Sequence, residues 1–338
     1  MSIKTIAQMT GLSITTVSHA INGTRAVSQQ SKHLVEEAVK KIGYKPNLAA
    51  QMLKTNRSHI IALIIPSTEP NNSTNCFFFD VLNGAREQLH ASGYDLMVAT
   101  YSEQEGEKHL ANLQVLEKRL VDGVLLVPFD RDVASLAEIR SLGIPIVLVD
   151  RRVENCSLPS VYSDNLEGAR QTVHLLAQSG RKRIAFLCGN CAFSTSYDRH
   201  LGYLQGIKEA GLPIIDELIF IDLPYQLQTG RDIAQTLLNN GIDAVFSANN
   251  VLLMGILQYF SEHGISVPSD VSVVGFDDYD WMNITPSPVT ATFQNPYRMG
   301  CEAARLMLET LEGKDTHNQR IALPCELVLR ESHKSQSL

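Results

Sequence analysis

Long apolar runs are missing from this 338-residue chain. The longest, IIALIIP (60–66) and GVLLVP (123–128), are strand-sized, well short of the ~20 residues a membrane helix needs. No basic segment leads into an apolar core at the N-terminus, which argues against a cleaved secretion signal. The expectation is a cytoplasmic protein without membrane contact. Cysteine is also sparse: Cys76, Cys156, Cys188, Cys191, Cys301 and Cys325, of which only Cys188 and Cys191 are close in sequence. A structural zinc site needs four ligands, and no second CxxC or nearby HxxxH supplies them. A redox CxxC should open a helix in a thioredoxin-like unit, whereas this one follows a strand. The pair reads as incidental thiols in a reduced cytosolic protein. GxGxxG, Walker and GxSxG motifs are absent, and Ser, His and Asp occur without an activating arrangement. Neither enzyme activity, nor a cofactor, nor a metal is expected.

What is present is asymmetric. The net charge is −7, yet residues 1–58 hold eight Lys/Arg against Glu36 and Glu37, a formal +6 that leaves −13 on the remainder. A small basic head on a large acidic body suggests a polyanion-binding module joined to something else. Within the head, TGLSITTVSHAING (10–23) contains no carboxylate at all. Ser2 is placed to cap a helix through IKTIAQMT, and Gly11 supplies the left-handed residue that ends it. Ser13 caps a second helix, ITTVSHAI, closed by Asn22-Gly23. Ile6, Ala7, Leu12, Val17 and Ile21 fill the space between the two. This is a helix-turn-helix, whose second helix enters a DNA major groove. Its outward Ile14, Thr15, Ser18 and His19 are short enough to let the backbone approach base edges and phosphates. A third helix runs from the Ser28 cap, with Leu34, Val35, Ala38, Val39 and Ile42 on its apolar face. KPNLAAQMLKTNRS (45–58) follows; Pro46 breaks the preceding helix and Asn47 can cap a new one. LAAQML is too short to be a stable helix alone, so it should order only with a partner.

SIKTIAQMTGLSITTVSHAINGTRAVSQQSKHLVEEAVKKIGYKPNLAAQML resembles the headpiece and hinge of the lactose/galactose-repressor family of bacterial transcription regulators, and the likeness continues through nearly the whole chain. It implies a DNA-binding domain over 1–46, a hinge helix over 47–58 and an effector-binding, dimerising domain over 59–333. It also implies a DNA surface made of Ser13, Ile14, Thr15, Ser18, His19, Asn22, Asn47, Ala50 and Leu53, with Leu53 as a minor-groove wedge. His19 stands where family members commonly carry Arg, so base preference does not transfer there.

From His59 onward β-rich runs alternate with amphipathic helices, the pattern of parallel α/β sheets. Two doubly wound subdomains suit the length better than one sheet. The resemblance implies the same architecture, similar to periplasmic sugar-binding proteins, with crossovers near 161–163, 291–294 and 320–322. Ligands of open α/β sheets sit beyond the carboxyl ends of strands. Asp150, Arg199, Asn249 and Asp277 all fall there, and each matches a position lining the family's effector cleft. Phe77, Phe78, Tyr225 and Trp281 offer faces for an apolar sugar surface. Two departures stand out: Asn249-Asn250 replaces the common Asn-Asp, and Cys76 replaces a proline after a lengthened loop. The chain therefore reads as a homodimeric repressor that binds double-stranded operator DNA under control of a sugar or sugar derivative. The rival reading is a solute-binding protein with no regulatory role; it predicts a signal peptide and no hinge.

Overall fold

The computed structural model describes residues 2–22, 25–44, 57–67, 75–102, 110 and 112–334. Two compact units emerge, Met1–Ser58 and His59–Leu338.

In the first unit α1 (Ile3–Thr10), α2 (Ile14–Asn22) and α3 (Gln29–Ile42) enclose a small core of Ile6, Ala7, Val17, Val35 and Ala38. Gly11 and Gly43 end their helices at φ 68° and 62°, a conformation that costs glycine nothing because it has no Cβ. Ser13 Oγ accepts the Thr16 N–H at 3.0 Å and Ser28 Oγ accepts that of Ser31 at 3.2 Å, so both expected caps form. Ser2 differs: its side chain bonds Thr5 Oγ1, and its backbone carbonyl takes the first helical N–H. Leu34 also departs from expectation. It is 40% exposed, because the helix turns its Val35–Ala38–Val39–Ile42 stripe inward and leaves Leu34 at the edge.

Among its described residues the second unit contains two six-stranded sheets. The first runs β11-β5-β4-β3-β1-β2 and the second β12-β10-β9-β8-β6-β7, parallel throughout except for β12 against β10. In the first are β1 (Ile60–Pro66), β2 (Asp95–Tyr101), β3 (Gly123–Leu126), β4 (Ile146–Val149), β5 (Ser160–Ser163) and β11 (Arg320–Leu323). In the second are β6 (Ile184–Leu187), β7 (Ile219–Phe220), β8 (Ala244–Ser247), β9 (Ser272–Phe276), β10 (Thr290–Phe293) and β12 (Glu326–Val328). Strands β3, β4, β6, β8 and β9 are buried at every position, as helix-covered parallel sheets require. Each lobe thus repeats the doubly wound order 2-1-3-4-5, which places a ligand crevice at the carboxyl ends of its strands.

The chain changes lobe three times. After β5 it enters the helix Asn165–Gln178, which packs Ala169 and Val173 against Phe186 and Phe246 of the second lobe. After β10 it returns through the helix Pro296–Leu311, whose Met299, Ala303 and Met307 join Ile61 and Leu125 in the first. After β11 it crosses again to β12. The crossings after β5, β10 and β11 therefore act as the joint.

Candidate functional site

In the first unit, α2 and the Ser13 that caps it present Ser13, Ile14 and Thr15 to solvent, with Ile14 half exposed, while Ser18 and His19 are partly buried. The helix carries no acid in its first turn, so nothing there repels phosphate. Asn22 is its last residue. Asn47, Ala50 and Leu53 lie outside the described residues, as does the hinge segment itself.

In the second unit the cleft is built by one local device used twice. Asp150 directly follows β4 at φ 68° and Asp277 directly follows β9 at φ 69°. Left-handed backbone is tolerated by Asp better than by most side chains. Both backbone amides bond the next strand over, Asp150 N–H to Val161 O and Asp277 N–H to Thr292 O, each at 2.9 Å. The chain therefore turns sharply off the sheet, and each lobe presents one carboxylate to the same gap. Burial pushes the Asp150 carboxyl up to about 6; Arg151 and Arg199 oppose the rise and the Asp277 charge adds to it. Burial likewise raises Asp277, against the pull of Arg199 and the Gln294 hydrogen bond.

Arg199, whose charge acts on both, is buried at 8% exposure. Its Nε donates to Asn165 Oδ1 and its Nη1 to the Ala248 carbonyl, both at 2.8 Å, and its guanidinium stacks 3.7 Å from the Phe276 ring centre. Two of its five donors are thus committed to holding its plane. Asn249 is buried, and its Oδ1 accepts from Val251 N–H and Leu252 N–H at 2.9 and 3.1 Å, capping the helix Asn250–Glu262. Only its NH₂ remains to face a ligand. The missing Asp at 250 is therefore not needed as a cap.

Beside this buried floor opens a cavity of about 340 Å³, lined by Phe77, Tyr279, Trp281 and Phe293 with Asp277 and Gln294. That volume lies in the roughly 300–1,000 Å³ range of small-molecule sites. Every charged residue in its lining is an aspartate: 80, 277, 278 and 280. Asp278 is held by a bidentate pair with Arg330 at 2.7 and 2.9 Å. Trp281 Nε1, Tyr279 Oη and Gln294 Oε1 are buried without a protein partner among the described residues.

Phe77 lines the cavity, but Phe78 does not. Phe78 is 9% exposed and belongs to the first lobe's core with Ile61 and Val81. Adjacent residues on the helix Asn75–Ala91 point about a quarter-turn apart, so only one of the two rings reaches the gap. Tyr225 lies in the wall rather than the cavity lining: its hydroxyl shares a 3.1 Å hydrogen bond with Ser196 Oγ, and its ring covers Gly189. Sequence reasoning missed Gln294 and Tyr279. Gln294 directly follows β10, so the strand-end rule finds it once TATF is recognised as a strand.

A second set of contacts bridges the lobes. Arg152 grips Asp198 with Nη2 at 2.6 Å and Nε at 3.2 Å, and its backbone N–H bonds Ser194 Oγ at 2.7 Å. Arg151 stacks on Phe193 and Arg131 on Tyr197, each 3.8 Å from the ring centre. Three arginines of the first lobe thus hold the first turns of the helix Ser194–Glu209 of the second.

The chain is similar to known proteins over its full length. Residues 2–47 match the bacterial regulatory proteins of the lacI family, and residues 173–333 match the periplasmic binding protein-like domain. The transcriptional regulator RegA of Clostridium saccharobutylicum is 33% identical over 98% of both chains. The transcriptional repressor PurR of Mannheimia succiniciproducens is 30% identical, again over 98% of both. Among solved structures, the regulator CelR in complex with cellobiose superposes with a TM-score of 0.72 at 28% identity, covering 98% of this chain and 99% of that one. The lac repressor dimer bound to operator and an anti-inducer reaches 0.85 at 22% identity, covering 99% of each, a likeness of fold. Among the described residues no helix is long and apolar enough to cross a membrane.

Proposed function

Since the chain belongs to the lacI family of bacterial regulatory proteins, and so is a DNA-binding transcriptional repressor with a small-molecule effector domain, we propose the finer reading that its effector is an unphosphorylated saccharide. The observation that carries this is the pairing of Asp150 and Asp277 at equivalent strand ends, facing Arg199 beside an aromatic cavity. Carboxylates accept hydrogen bonds from hydroxyls, and a planar guanidinium donates to ring and hydroxyl oxygens. Aromatic walls cover the apolar faces of a sugar ring. The aspartates around the cavity disfavour a phosphate by like-charge repulsion. On the bound side the two lobes share one ligand, so the effector's differential affinity for open and closed lobes sets the size of the switch.

On the DNA side, one α2 reads too few base pairs for selectivity, so a homodimer on a pseudo-palindromic operator in the cytoplasm completes the reading. Ser13, Ile14, Thr15, Ser18, His19 and Asn22 meet the major groove. Asn47, Ala50 and Leu53 form the hinge, with Leu53 prying a minor-groove step. The test of the effector class is a thermal-shift screen of the full chain with neutral mono- and disaccharides, their phosphates and planar heterocyclic bases. A ligand at a hundred times its Kd stabilises by about 2.7 kcal/mol. Stabilisation by a phosphorylated sugar or a base, with none by neutral saccharides, would overturn the assignment.

Two results are expected at the DNA. Operator affinity should fall with salt at a log–log slope of about −0.9 per neutralised phosphate, with roughly six to ten phosphates per dimer. A flat salt dependence in a filter-binding titration contradicts it. Leu53→Ala should reduce both operator affinity and the bend angle in circular-permutation gels, because alanine is too short to hold a base step open. Saccharide binding should be untouched; an unaltered bend removes Leu53 from the wedge role.

A further inference from the structure

The CxxC read as incidental from sequence is folded into contact. Cys188 directly follows β6 and Cys191 lies in the turn before the helix Ser194–Glu209, with the two Sγ atoms 3.9 Å apart. A disulfide needs about 2.05 Å between sulfurs, so a modest movement of the turn and side chains closes the gap. Exposure is unequal: Cys188 is 1% exposed and Cys191 is partly open. The Cys188 thiol hydrogen bond favours the Cys191 thiolate, and the same contact with burial raises Cys188. A partly open thiol whose pKa is lowered, beside a buried thiol, is the arrangement for attack followed by resolution. Among the described residues no cluster of three metal-binding side chains exists, so a metal finds too few ligands here.

The turn between the two cysteines also carries the lobe contacts. Gly189 lies beneath the Tyr225 ring, the Cys191 N–H bonds Asp222 Oδ1 at 2.7 Å, and two residues on Phe193 supports Arg151. Ser194 then accepts the Arg152 N–H. Drawing Cys191 onto Cys188 pulls on this short segment and on the grip of the arginines.

We propose that Cys188 and Cys191 form a reversible disulfide that loosens the contacts between the lobes, adding thiol redox state as a second input to the regulator. The oxidant is a low-molecular-weight disulfide of the glutathione type. The Cys191 thiolate attacks one of its sulfurs, breaking that S–S bond and releasing one thiolate, which leaves a mixed disulfide on Cys191. Cys188 gives up its proton and attacks Cys191 Sγ, forming the intramolecular bond and expelling the second thiolate. Two protein thiols lose two electrons, one small disulfide gains them, and the two cysteine protons end on the two released thiols.

Tryptic cleavage after Arg183 and Arg199 isolates both cysteines, and no others, in one peptide, 184–199. The full chain is incubated with glutathione disulfide, quenched in acid, alkylated and digested. The expected peptide is unalkylated, two hydrogens lighter than its reduced form, free of glutathione and restored by dithiothreitol. A doubly alkylated peptide, or a lasting glutathione adduct on Cys191, overturns the disulfide. Hydrogen exchange supplies the second reading. Amides of 192–199 should exchange several-fold faster on oxidation, and this response should vanish in Cys191→Ser and in Cys188→Ser. Exchange unchanged by oxidation overturns the link to the lobes even if the bond forms.

Discussion

Asp277→Asn should lower affinity for the saccharide identified by thermal shift by about tenfold to a hundredfold. Hydrogen bonds to a charged group are worth about 1.5–3 kcal/mol, and each 1.4 kcal/mol is a factor of about ten. Asparagine is the substitution to make because Asp277 sits at φ 69°, where alanine adds backbone strain and asparagine adds little. The local network also survives the change. Gln294 Nε2 donates to Asp277 Oδ1 at 2.5 Å, a contact the asparagine carbonyl retains. The new amide can donate to Gln294 Oε1, which has no protein partner among the described residues. Loss of affinity therefore reports the missing charge and not a collapsed site. Operator binding without effector should be unchanged, since the residue lies in the second compact unit and the segment that matches the lacI family in the first. The variant then stays in its effector-free state at the operator. Calorimetry with the saccharide, alongside operator titration, checks both halves; wild-type saccharide affinity in Asp277→Asn would exclude the residue from the site.

Asp150→Asn should stabilise the folded protein by about 1–3 kcal/mol at pH 8 while abolishing most effector binding. Burial raises the Asp150 carboxyl from 3.8 to about 6, and one pKa unit corresponds to about 1.4 kcal/mol. The sign follows from linkage. A folded-state pKa above the unfolded value means the folded protein binds the proton more tightly, so this group's contribution to stability is full below about pH 4 and is lost as pH rises through 6. Above that, the wild type carries a buried charge at a cost that asparagine avoids. The gain in the variant should thus be near zero at pH 4 and full by pH 8. Urea melts at the two pH values measure it, through a shift of the midpoint at unchanged slope. A variant equally destabilised at both pH values would mean that Asp150 serves packing. A stabilised variant that no longer senses its effector is the expected signature of a residue kept for binding at the expense of stability.

Much of the site was legible because parallel strands buried on both faces read as continuous apolar runs. HIIALIIP, GVLLVP, PIVLVD, RIAFLCG, DAVFSA and VSVVGFD all mark strands that form, and the residues just beyond them include Asp150, Asn249 and Asp277. Strands β5, β10, β11 and β12 carry no such run: they are three or four residues long and mix polar with apolar positions. They are the strands nearest the joint, and Gln294 went unseen with them.

The sequence by itself determined the three-helix head, its caps at Ser13 and Ser28, the doubly wound body and the strand ends where polar groups gather. Those features depend on periodicity and on backbone preferences that act within a few residues. Only the tertiary structure decided which of Phe77 and Phe78 faces the cavity, that the Asn249 carbonyl is spent on a cap, that Trp281 and Tyr279 share one wall, and that two thiols meet. Each of these depends on how a helix is rotated against a sheet or how one lobe meets the other, and contacts between residues far apart in the chain set that rotation.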